Sequence, residues 1–537
     1  MSTTAITAGR LAASAGHGLL RPLLRSEWIK FRTVRGWVIG MIAGALVTVI
    51  WGLLVANGSN VGCQTSPNSP AESGAACLPH FPLGPGGEAV ADSFYFVHQP
   101  LTGDGSITVR VTSLTGLYQQ SGSGIAASNP EAGMRPGVQP WSKAGIIIKA
   151  SAKPGSAYAA MMVTGGHGVR MQYDFTHDTA GLPGTVSAGS PRWLRLTRSG
   201  DTLTGYDSAD GTHWTKIGTA DLAGLPSTVQ AGLFATSPDY VQVVSQSLAS
   251  GSSTGGSSLA TGSFDHVRLS GTRPGSWHGS LIGGSSGGLP ASASGFRQEG
   301  GRLTVTGTGD IAPVVAGGAS GASTVGQFLT GAFAGLIAAV VVAVMLVTAE
   351  YRRGLIRVTM AASPQRGRVL AAKAIVAGAV TFVAGLAAAA VVVPLAGRLA
   401  HDKGTYVLPV SGLTDMRVIV GTAAVLAVSA VLAVAAGTML RRSAAGVAAG
   451  IVVIVLPYIL GTTGILTGGA AQWILRVTPA AGFAMQQSVP AYSQVTASYT
   501  PAGGYFPLAP WAGFAVLCGY AVLALAVAWY LLRRRDV

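Results

Sequence analysis

Residues 327–349 read QFLTGAFAGLIAAVVVAVMLVTA and contain no charged side chain. An α-helix rises about 1.5 Å per residue, so this stretch is long enough to cross the roughly 30 Å of hydrocarbon in a bilayer. The sequence continues with Glu350-Tyr351-Arg352-Arg353. Basic residues directly after an apolar run are typical of the cytoplasmic end of a membrane span. The stretch therefore predicts a transmembrane helix that ends at the cytoplasmic surface.

Five further runs have the same apolar character. They cover residues 37–56, 375–397, 418–440, 444–466 and 511–532. None of the six runs has an acidic or basic residue in its interior, so any path across the membrane would have to be lined by small, weakly polar side chains or by loops. The expected fold class is an α-helical polytopic membrane protein with six transmembrane helices.

The composition of the whole chain agrees with a membrane location. Of 537 residues, 49% are hydrophobic and 10% are charged, which excludes an ordinary soluble enzyme. The formal charge is +15, but Lys and Arg cluster beside the apolar runs and form no basic face with interleaved aromatic residues. We therefore expect no nucleic-acid partner, and anionic membrane lipid explains the charge.

Four groups of basic residues set the expected orientation, because short cytoplasmic flanks are enriched in Lys and Arg. With six spans, all four groups fall on one side of the membrane: 21–35, 352–373, 441–442 and 533–535. The expected localisation is the cell membrane, multi-pass, with cytoplasmic N- and C-termini. The first span is longer than the apolar core of a signal peptide and lacks a clear A-x-A site, which favours an uncleaved anchor over a cleaved signal.

The spans divide the chain into expected domains: a cytoplasmic tail with an interfacial helix (1–36), the first span (37–56), an extracellular insertion with flexible flanks (57–325) and the remaining spans (326–537), with a cytoplasmic loop at 350–373. The insertion is rich in Gly, Ser, Thr and Pro, and short strand-like runs replace the apolar ones. These runs are 106–112, 144–150, 157–164, 168–175, 193–198, 202–207, 213–217, 228–236 and 263–269. They predict an antiparallel β-sandwich or jelly roll between helices 1 and 2, with a flexible Gly- and Ser-rich loop at 250–258.

Two groups of residues in the insertion have alternative interpretations. Cys63 and Cys77 lie in a Pro- and Ser-rich neck outside the first span, where an oxidising exterior favours a disulfide over two unpaired thiols. The rings of Trp141, Trp193 and Trp214 could face a sugar ligand or fill the core of the sandwich. Their positions in or beside candidate strands favour the core.

The sequence assigns no catalytic residues and no metal site. It contains no G-x-x-x-x-G-K-[ST] loop and no H-E-x-x-H motif, so the chain has no usual ATP phosphate cradle, and any energy from ATP must come from a partner. His167 and His177, with Asp174 and Asp178 nearby, could form a metal or acid–base cluster. Histidines in polar strands and turns are more often incidental, so no metal is expected there.

Two motifs flank the first and second spans: LRSEWIKFRTVR at 24–35 and EYRRGLIRVT at 350–359. They resemble the corresponding segments of actinobacterial ABC-2 type transporter permeases. The resemblance implies a permease subunit of an ATP-driven transporter, an exporter, that works with a separate ABC ATPase. That partner would bind ATP and Mg, this chain would need no cofactor of its own, and two copies would form a homodimer. The transported substrate is unknown.

The first motif favours a helix in the cytoplasmic membrane interface, with Glu27, Trp28, Lys30 and Arg32 as its marker residues; a plain positive flank is the alternative. For the second motif the resemblance implies a coupling helix that docks on the ATPase, and a solvated loop is the alternative. The residues assigned to coupling are Glu350, Tyr351, Arg352, Arg353, Leu355, Ile356, Arg357 and Met360. Leu355, Ile356 and Met360 would be the apolar anchors.

The insertion carries its own resemblance, in WSKAGI (141–146), PRWLRL (191–196), YDSADG (206–211) and FDHV (264–267). These segments resemble concanavalin-like β-sandwich domains of the DUF1349 and laminin-G type. The resemblance leaves the extracellular ligand unknown and supplies an alternative function, a membrane-anchored carbohydrate-binding or sensory protein. A tether needs one span, and six exceed that need.

Overall fold

The computed structural model describes residues 20–58, 62–63, 72–73, 78–119, 133–246, 250–271, 275–284, 289–318, 321–352, 354–355, 365–462, 466, 468–497 and 499–534. Within these residues, six helices are long and apolar enough to cross a membrane. They are α2 (Arg35–Gly58), α3 (Val325–Arg352), α4 (Arg366–Asp402), α5 (Gly412–Leu440), α6 (Ser443–Thr462) and α8 (Pro510–Arg534). Two shorter helices accompany them, α1 (Leu20–Thr33) and α7 (Gly468–Val477).

The six predicted spans are thus confirmed, but α4 begins at Arg366 rather than at 375. Small residues allow the spans to pack closely. A Cβ placed on Gly44 of α2 would lie 2.6 Å from the Cβ of Ala338 on α3, a distance that atoms in contact do not reach, so only glycine fits here. α6 contains a π-helical turn at Ile451–Val455, and Pro457, which lacks an N–H donor, lies two residues after its end.

The segment between α6 and α8 was not predicted as part of the bundle. It contains α7 and the 3₁₀ helix Pro479–Gln486, whose residues are all buried. This 3₁₀ helix packs against α5 and α8, and the guanidinium of Arg417 on α5 donates to the carbonyl of Gln487 over 2.7 Å. The buried stretch closes the bundle at the end that carries the β-domain.

The insertion is an antiparallel β-sandwich, and the predicted fold class is confirmed. Its strands are β1 (Gly62–Cys63), β2 (Glu72–Ser73), β3 (Val90–Asp92), β4 (Phe94–Thr102), β5 (Gly105–Gln119), β6 (Met134–Pro136), β7 (Lys143–Lys149), β8 (Tyr158–Thr164), β9 (Val169–Tyr173), β10 (His177–Ala180), β11 (Arg192–Ser199), β12 (Thr202–Ser208), β13 (Thr215–Asp221), β14 (Thr228–Thr236), β15 (Tyr240–Gln246), β16 (Ser250–Gly256), β17 (Ser258–Ser270), β18 (His278–Ile282), β19 (Gly295–Glu299), β20 (Arg302–Gly307) and β21 (Ile311–Pro313).

Two large sheets form the sandwich. The seven-stranded sheet has the order β10-β9-β8-β7-β14-β4-β18, and the eight-stranded sheet has the order β13-β12-β11-β5-β17-β20-β19, with β6 also paired to β5. Residues at alternate positions fill the space between the sheets, such as Ile146, Leu194 and Leu196. The expected loop at 250–258 is wrong except at Ser257, because β16 pairs with β15 along Ser250–Gly256 and Ser258 begins β17. Backbone hydrogen bonds hold this strand pair together. The Ser, Thr and Gly residues of β16 lack the pattern of apolar side chains by which a strand is predicted from sequence.

A two-stranded layer, here called the strap, covers the other face of the seven-stranded sheet. It consists of β3 paired with β21, and Val90 and Ile311 pack there with Ile147 of β7. Two fully buried lysines of β7 fasten it. The Lys149 Nζ lies 2.7 Å from an Asp92 carboxylate oxygen, and the Lys143 Nζ contacts Asp310 and the Ile311 carbonyl. A buried ion pair is costly to break, so the strap is held firmly to the sandwich.

The strap also joins the sandwich to the helical bundle, since β21 is followed by α3. Beyond it, Val314 and Val315 are buried with Leu408 and Tyr505 from the loops of the bundle. The Tyr505 hydroxyl accepts a hydrogen bond from the Ala316 N–H over 3.0 Å. The sandwich therefore rests on these loops through an apolar core and does not hang from a free linker.

Candidate functional site

The candidate site lies at the end of the bundle opposite the sandwich, here called the basic end. It is formed by α1, the C-terminal end of α3, the N-terminal end of α4 and the C-terminal end of α8. α1 is amphipathic and packs against α4. Glu27 and Phe31, one helical turn apart, are buried, whereas Trp28, Ile29 and Arg32 are exposed. This arrangement suits a helix that lies along the membrane surface.

Four side chains from three helices form a charge cluster, defined here as Glu27, Lys30, Glu350 and Lys373. The Lys373 Nζ lies 2.8 Å from a Glu27 oxygen and 2.7 Å from a Glu350 oxygen. The Lys30 Nζ lies 2.7 Å from the other Glu27 oxygen and 2.8 Å from the same Glu350 oxygen. The cluster thus joins α1, α3 and α4 through four ion pairs.

The charges of this cluster balance, which allows it to be buried. Lys373, Glu27 and Glu350 are buried, while the Lys30 side chain is 38% exposed. Burial lowers the pKa of Lys30, but its hydrogen bonds to Glu27 and Glu350 outweigh this effect and raise the pKa above its ordinary value. Lys30 therefore remains charged near neutral pH. The second oxygen of Glu350 is buried and has no hydrogen-bond partner among the described residues.

Further contacts at the basic end link the other helices. The Arg441 guanidinium, at the end of α5, lies 5.4 Å from the ring centre of Tyr351 on α3. The Ser443 hydroxyl, at the start of α6, donates to the Thr348 hydroxyl over 2.8 Å. The Arg366 guanidinium, at the start of α4, donates to the Leu532 carbonyl of α8. These contacts connect α3 to α5 and α6, and α4 to α8. A displacement of the helix ends here would therefore involve most of the bundle.

The residues assigned to coupling fall into three groups. Glu350 and Tyr351 belong to the last turns of α3 and take part in the contacts above, and Arg352 ends that helix with an exposed side chain. Leu355 is exposed after Gly354, whose φ of 67° is left-handed. Outside the described residues lie Arg353, Ile356, Arg357 and Met360. The expected loop at 350–373 is correspondingly shorter, because both of its ends are helical.

Sequence reasoning singled out Glu27, Lys30 and Glu350 but did not bring them together, and it took Lys373 for a basic flank. One signal could have found the cluster. Glu27 and Glu350 are isolated acids, each placed among basic residues at the edge of an apolar run. An acid in that position is costly at a membrane surface rich in anionic lipid, unless it pairs with a cation of the protein.

The candidate ligand-facing tryptophans lie in two different environments. Trp141 is 5% exposed, and its ring stacks on His167 with the ring centres 4.0 Å apart. Trp193 and Trp214 are only partly buried.

Two further expectations in the insertion concern the histidine site and the disulfide. Asp178, near the rejected histidine site, pairs with Arg170. The predicted disulfide cannot be placed, because Cys77 and the side chain of Cys63 lie outside the described residues.

A groove of about 670 Å³ runs between α2 and α4, next to α1. Its lining is almost entirely apolar and includes Trp28, Met41, Leu46, Val380 and Ala384. Large apolar side chains on its rim are exposed, which is the normal state of residues that face lipid or another membrane helix. The groove is thus a surface for lipid or protein within the membrane.

Comparison with known proteins agrees with this architecture. Residues 171–537 match the family described as ABC-2 family transporter protein. The match spans more than half of the chain, so the chain belongs to this family and is a multi-pass membrane permease of an ABC transporter. No curated protein matches the chain.

Solved structures share only a remote likeness. An eqolisin-family peptidase, SCP-B, in complex with a tripeptide has 9% identity and a TM-score of 0.21, and the match covers 42% of this chain and 100% of that one. Scytalido-glutamic peptidase has 8% identity, a TM-score of 0.22 and the same coverage. A functionally unknown protein from Saccharomyces cerevisiae has 14% identity and a TM-score of 0.20, with 41% and 99% covered. Likenesses at this level carry no argument about this chain, and the DUF1349 resemblance stays a prediction.

Proposed function

We propose that this chain is the permease subunit of an ABC-2 exporter, and that a separate ABC ATPase drives it through the basic end. The observation that carries this proposal is the charge cluster, which ties the surface helix α1 to the ends of two membrane helices. The basic end is then cytoplasmic and the sandwich extracellular, as the positive flanks favour. ATP and Mg²⁺ are bound by the ATPase, not by this chain.

The charge cluster is suited to transmit movement because it is buried and because its side chains come from three helices, α1, α3 and α4. Separating α1 from α3 and α4 would break the Lys30–Glu350 and Lys373–Glu27 ion pairs and leave each buried carboxylate with one lysine instead of two, which is costly for buried charges. A push on α1, or on the connection between α3 and α4, therefore displaces the three helices together. Leu355 is exposed beside this joint, and we propose that it contacts an apolar groove on the ATPase together with Ile356 and Met360.

The permease is proposed to work as a homodimer surrounded by membrane lipid. Ile42 and Leu46 on α2 and Val383 on α4 are exposed along the groove, so that a second copy or lipid chains can cover them. Close packing of small residues against such side chains is the usual basis of association between membrane helices. The six spans of one chain would then supply half of the transport pathway.

The test is a triple variant in which Leu355, Ile356 and Met360 are replaced by Asp. We expect the variant to insert and to keep its sandwich, but to lose ATPase co-purification and substrate efflux. Apolar anchors should matter more than the arginines, because exposed ion pairs contribute only about 0 to 1 kcal/mol each. Leu413→Asp is the matched control, since Leu413 is 81% exposed at the start of α5, at the other end of the bundle. Unchanged co-purification and efflux in the triple variant would remove this loop from the mechanism.

A further inference from the structure

The outer face of the eight-stranded sheet presents its side chains in rows. Strand pairing places Arg268 opposite Thr108, Thr108 opposite Arg195, Arg195 opposite Tyr206, and Tyr206 opposite Lys216. This row, here called the cation row, crosses five strands. It points away from the core, because the flanking residues of β5 and β11 at alternate positions are buried between the two sheets.

The cations of this row have no carboxylate partner in the part of the chain that the structure describes. Among the described residues, no ion pair joins Arg195, Lys216 or Arg268 to a carboxylate. The three cations occupy every second strand. Since neighbouring strands lie about 4.8 Å apart, their backbones are spaced by about 10 Å.

Aromatic rings accompany the row. The guanidinium of Arg195 lies 3.9 Å from the ring centre of Trp214, which is partly exposed directly before β13. In the next row, Trp193 lies opposite Arg110, whose guanidinium is 5.7 Å from the Trp193 ring centre. Arg110 is paired with Asp265 at 2.6 Å, so this second row is aromatic and nearly neutral.

On the other side of the cation row, every position carries a hydroxyl group. Register pairs Ser270 with Ser106, Ser106 with Thr197, Thr197 with Thr204, and Thr204 with Thr219. The side-chain oxygens of Ser106 and Ser270 lie 2.8 Å apart. A strip of hydroxyls, spaced cations and partly exposed indole rings thus runs across the sheet.

This strip is turned away from the membrane. The strap covers the seven-stranded sheet, and contacts with the loops of the bundle are made from that side, by residues such as Val314 and Phe175. The outer face of the eight-stranded sheet is on the opposite side of the sandwich. This outer face is therefore accessible to a partner that lies outside the membrane.

We propose that this strip binds an anionic polysaccharide. The chemistry of the strip matches such a polymer: acidic groups that recur at about 10 Å meet the cation row, hydroxyl groups of the sugars meet the Ser and Thr row, and apolar sugar faces contact the partly exposed ring of Trp214. An acidic polypeptide would use the cations alone and leave the other two rows without a role. This inference does not depend on transport or on an ATPase.

The experiment uses the full chain in lipid nanodiscs and three fluorescent polymers. They are hyaluronate, in which acidic and neutral sugars alternate, dextran, which is neutral, and poly-glutamate. We expect hyaluronate to bind, dextran not to bind, and poly-glutamate to bind at least tenfold more weakly than hyaluronate. Absence of hyaluronate binding, or equal binding of poly-glutamate, would overturn the proposal.

Variants locate the binding on the strip. Lys216→Gln combined with Arg268→Gln should weaken hyaluronate binding at least tenfold, and Trp214→Ala should weaken it as well. Lys216 and Arg268 are exposed, so unfolding temperatures should not change. The matched control combines Lys153→Gln with Arg135→Gln, two exposed cations away from the row, and should stay within twofold of the unmodified chain. Equal losses in both double variants would assign the binding to general charge and contradict the proposal.

Discussion

Replacement of Lys373 by Met is expected to destabilise the bundle strongly. Lys373 is 2% exposed and contacts both carboxylates of the charge cluster. After the change, buried Glu27 and Glu350 share Lys30 alone, whose side chain is 38% exposed. Removing one member of a buried ion pair typically costs about 3 to 5 kcal/mol, because the remaining charge stays buried without sufficient compensation.

The matched control is Lys30→Met. It removes one lysine from the same two carboxylates, but Lys373 still contacts both at 2.7 to 2.8 Å, and the lost pairs are partly open to solvent. The expected cost is about 1 kcal/mol, near the range for exposed pairs. The two substitutions are chemically identical, so the difference between them reports the burial of Lys373.

The assay is the free energy of unfolding in mixed detergent micelles, measured for both variants and for the double variant Lys373→Met with Glu350→Gln. The double variant leaves Glu27 paired with Lys30 and restores the charge balance, so it should recover about 1 to 3 kcal/mol relative to Lys373→Met. A Lys373→Met variant within about 1 kcal/mol of the unmodified chain, or no recovery in the double variant, would refute the cluster as a buried joint.

Three other predictions concern the sandwich and the bundle. Burial, together with nearby Asp310, raises the pKa of Asp239 to about 6; the folded protein then prefers the protonated form, and stability falls as the pH rises from about 4 to 6, by up to about 3 kcal/mol. Asp239→Asn should therefore raise the unfolding temperature at pH 7.5 and leave it unchanged at pH 3.5, and a gain at both pH values would contradict this assignment. Gly44→Leu should separate α2 from α3 and lower the free energy of unfolding in micelles by about 1 to 3 kcal/mol through overpacking. An unchanged free energy of unfolding would show that this helix contact is looser than described. In intact cells, a membrane-impermeant thiol reagent should label Lys153→Cys in the sandwich and spare Arg352→Cys at the basic end, and the reverse pattern would invert the proposed orientation.

Apolar length was sufficient to predict the membrane helices. A run of about 20 uncharged apolar residues has few alternatives to a span, because the backbone must satisfy its hydrogen bonds internally. The start of α4 was less predictable. Arg366, Arg368 and Lys373 break the apolar run, yet they continue the helix beyond it, since a charged residue ends a span but does not end a helix.

The strands were predictable where one face of the sheet is buried and the other is not. The predicted strand 228–236 coincides with β14. β4 (Phe94–Thr102) was missed because both of its faces pack in its first half, so the alternation of apolar and polar residues is interrupted. β16 consists only of Ser, Thr and Gly, so it has no alternation of apolar and polar residues. Its backbone pairing with β15 is what defines it as a strand.

The candidate site was predictable only as separate fragments. Glu27 and Lys30 belong to one motif and Glu350 to another, and each motif fits a simple basic flank. The distances that unite them with Lys373 depend on the packing of α1 against α4 and of α3 beside both. Such packing follows from the tertiary arrangement of three helices, which no local pattern of charges specifies.

The central claim is that an ABC ATPase acts on this permease at the basic end, and the most direct test is site-specific crosslinking in native membranes. Leu355→Cys, carrying a short photo-crosslinker, should capture an ABC ATPase, and the yield should change when ATP is added. The same label on Leu413→Cys, which is also exposed but lies at the start of α5, should capture none. An ATPase adduct at Leu413→Cys, or no ATPase adduct at Leu355→Cys, would contradict the account.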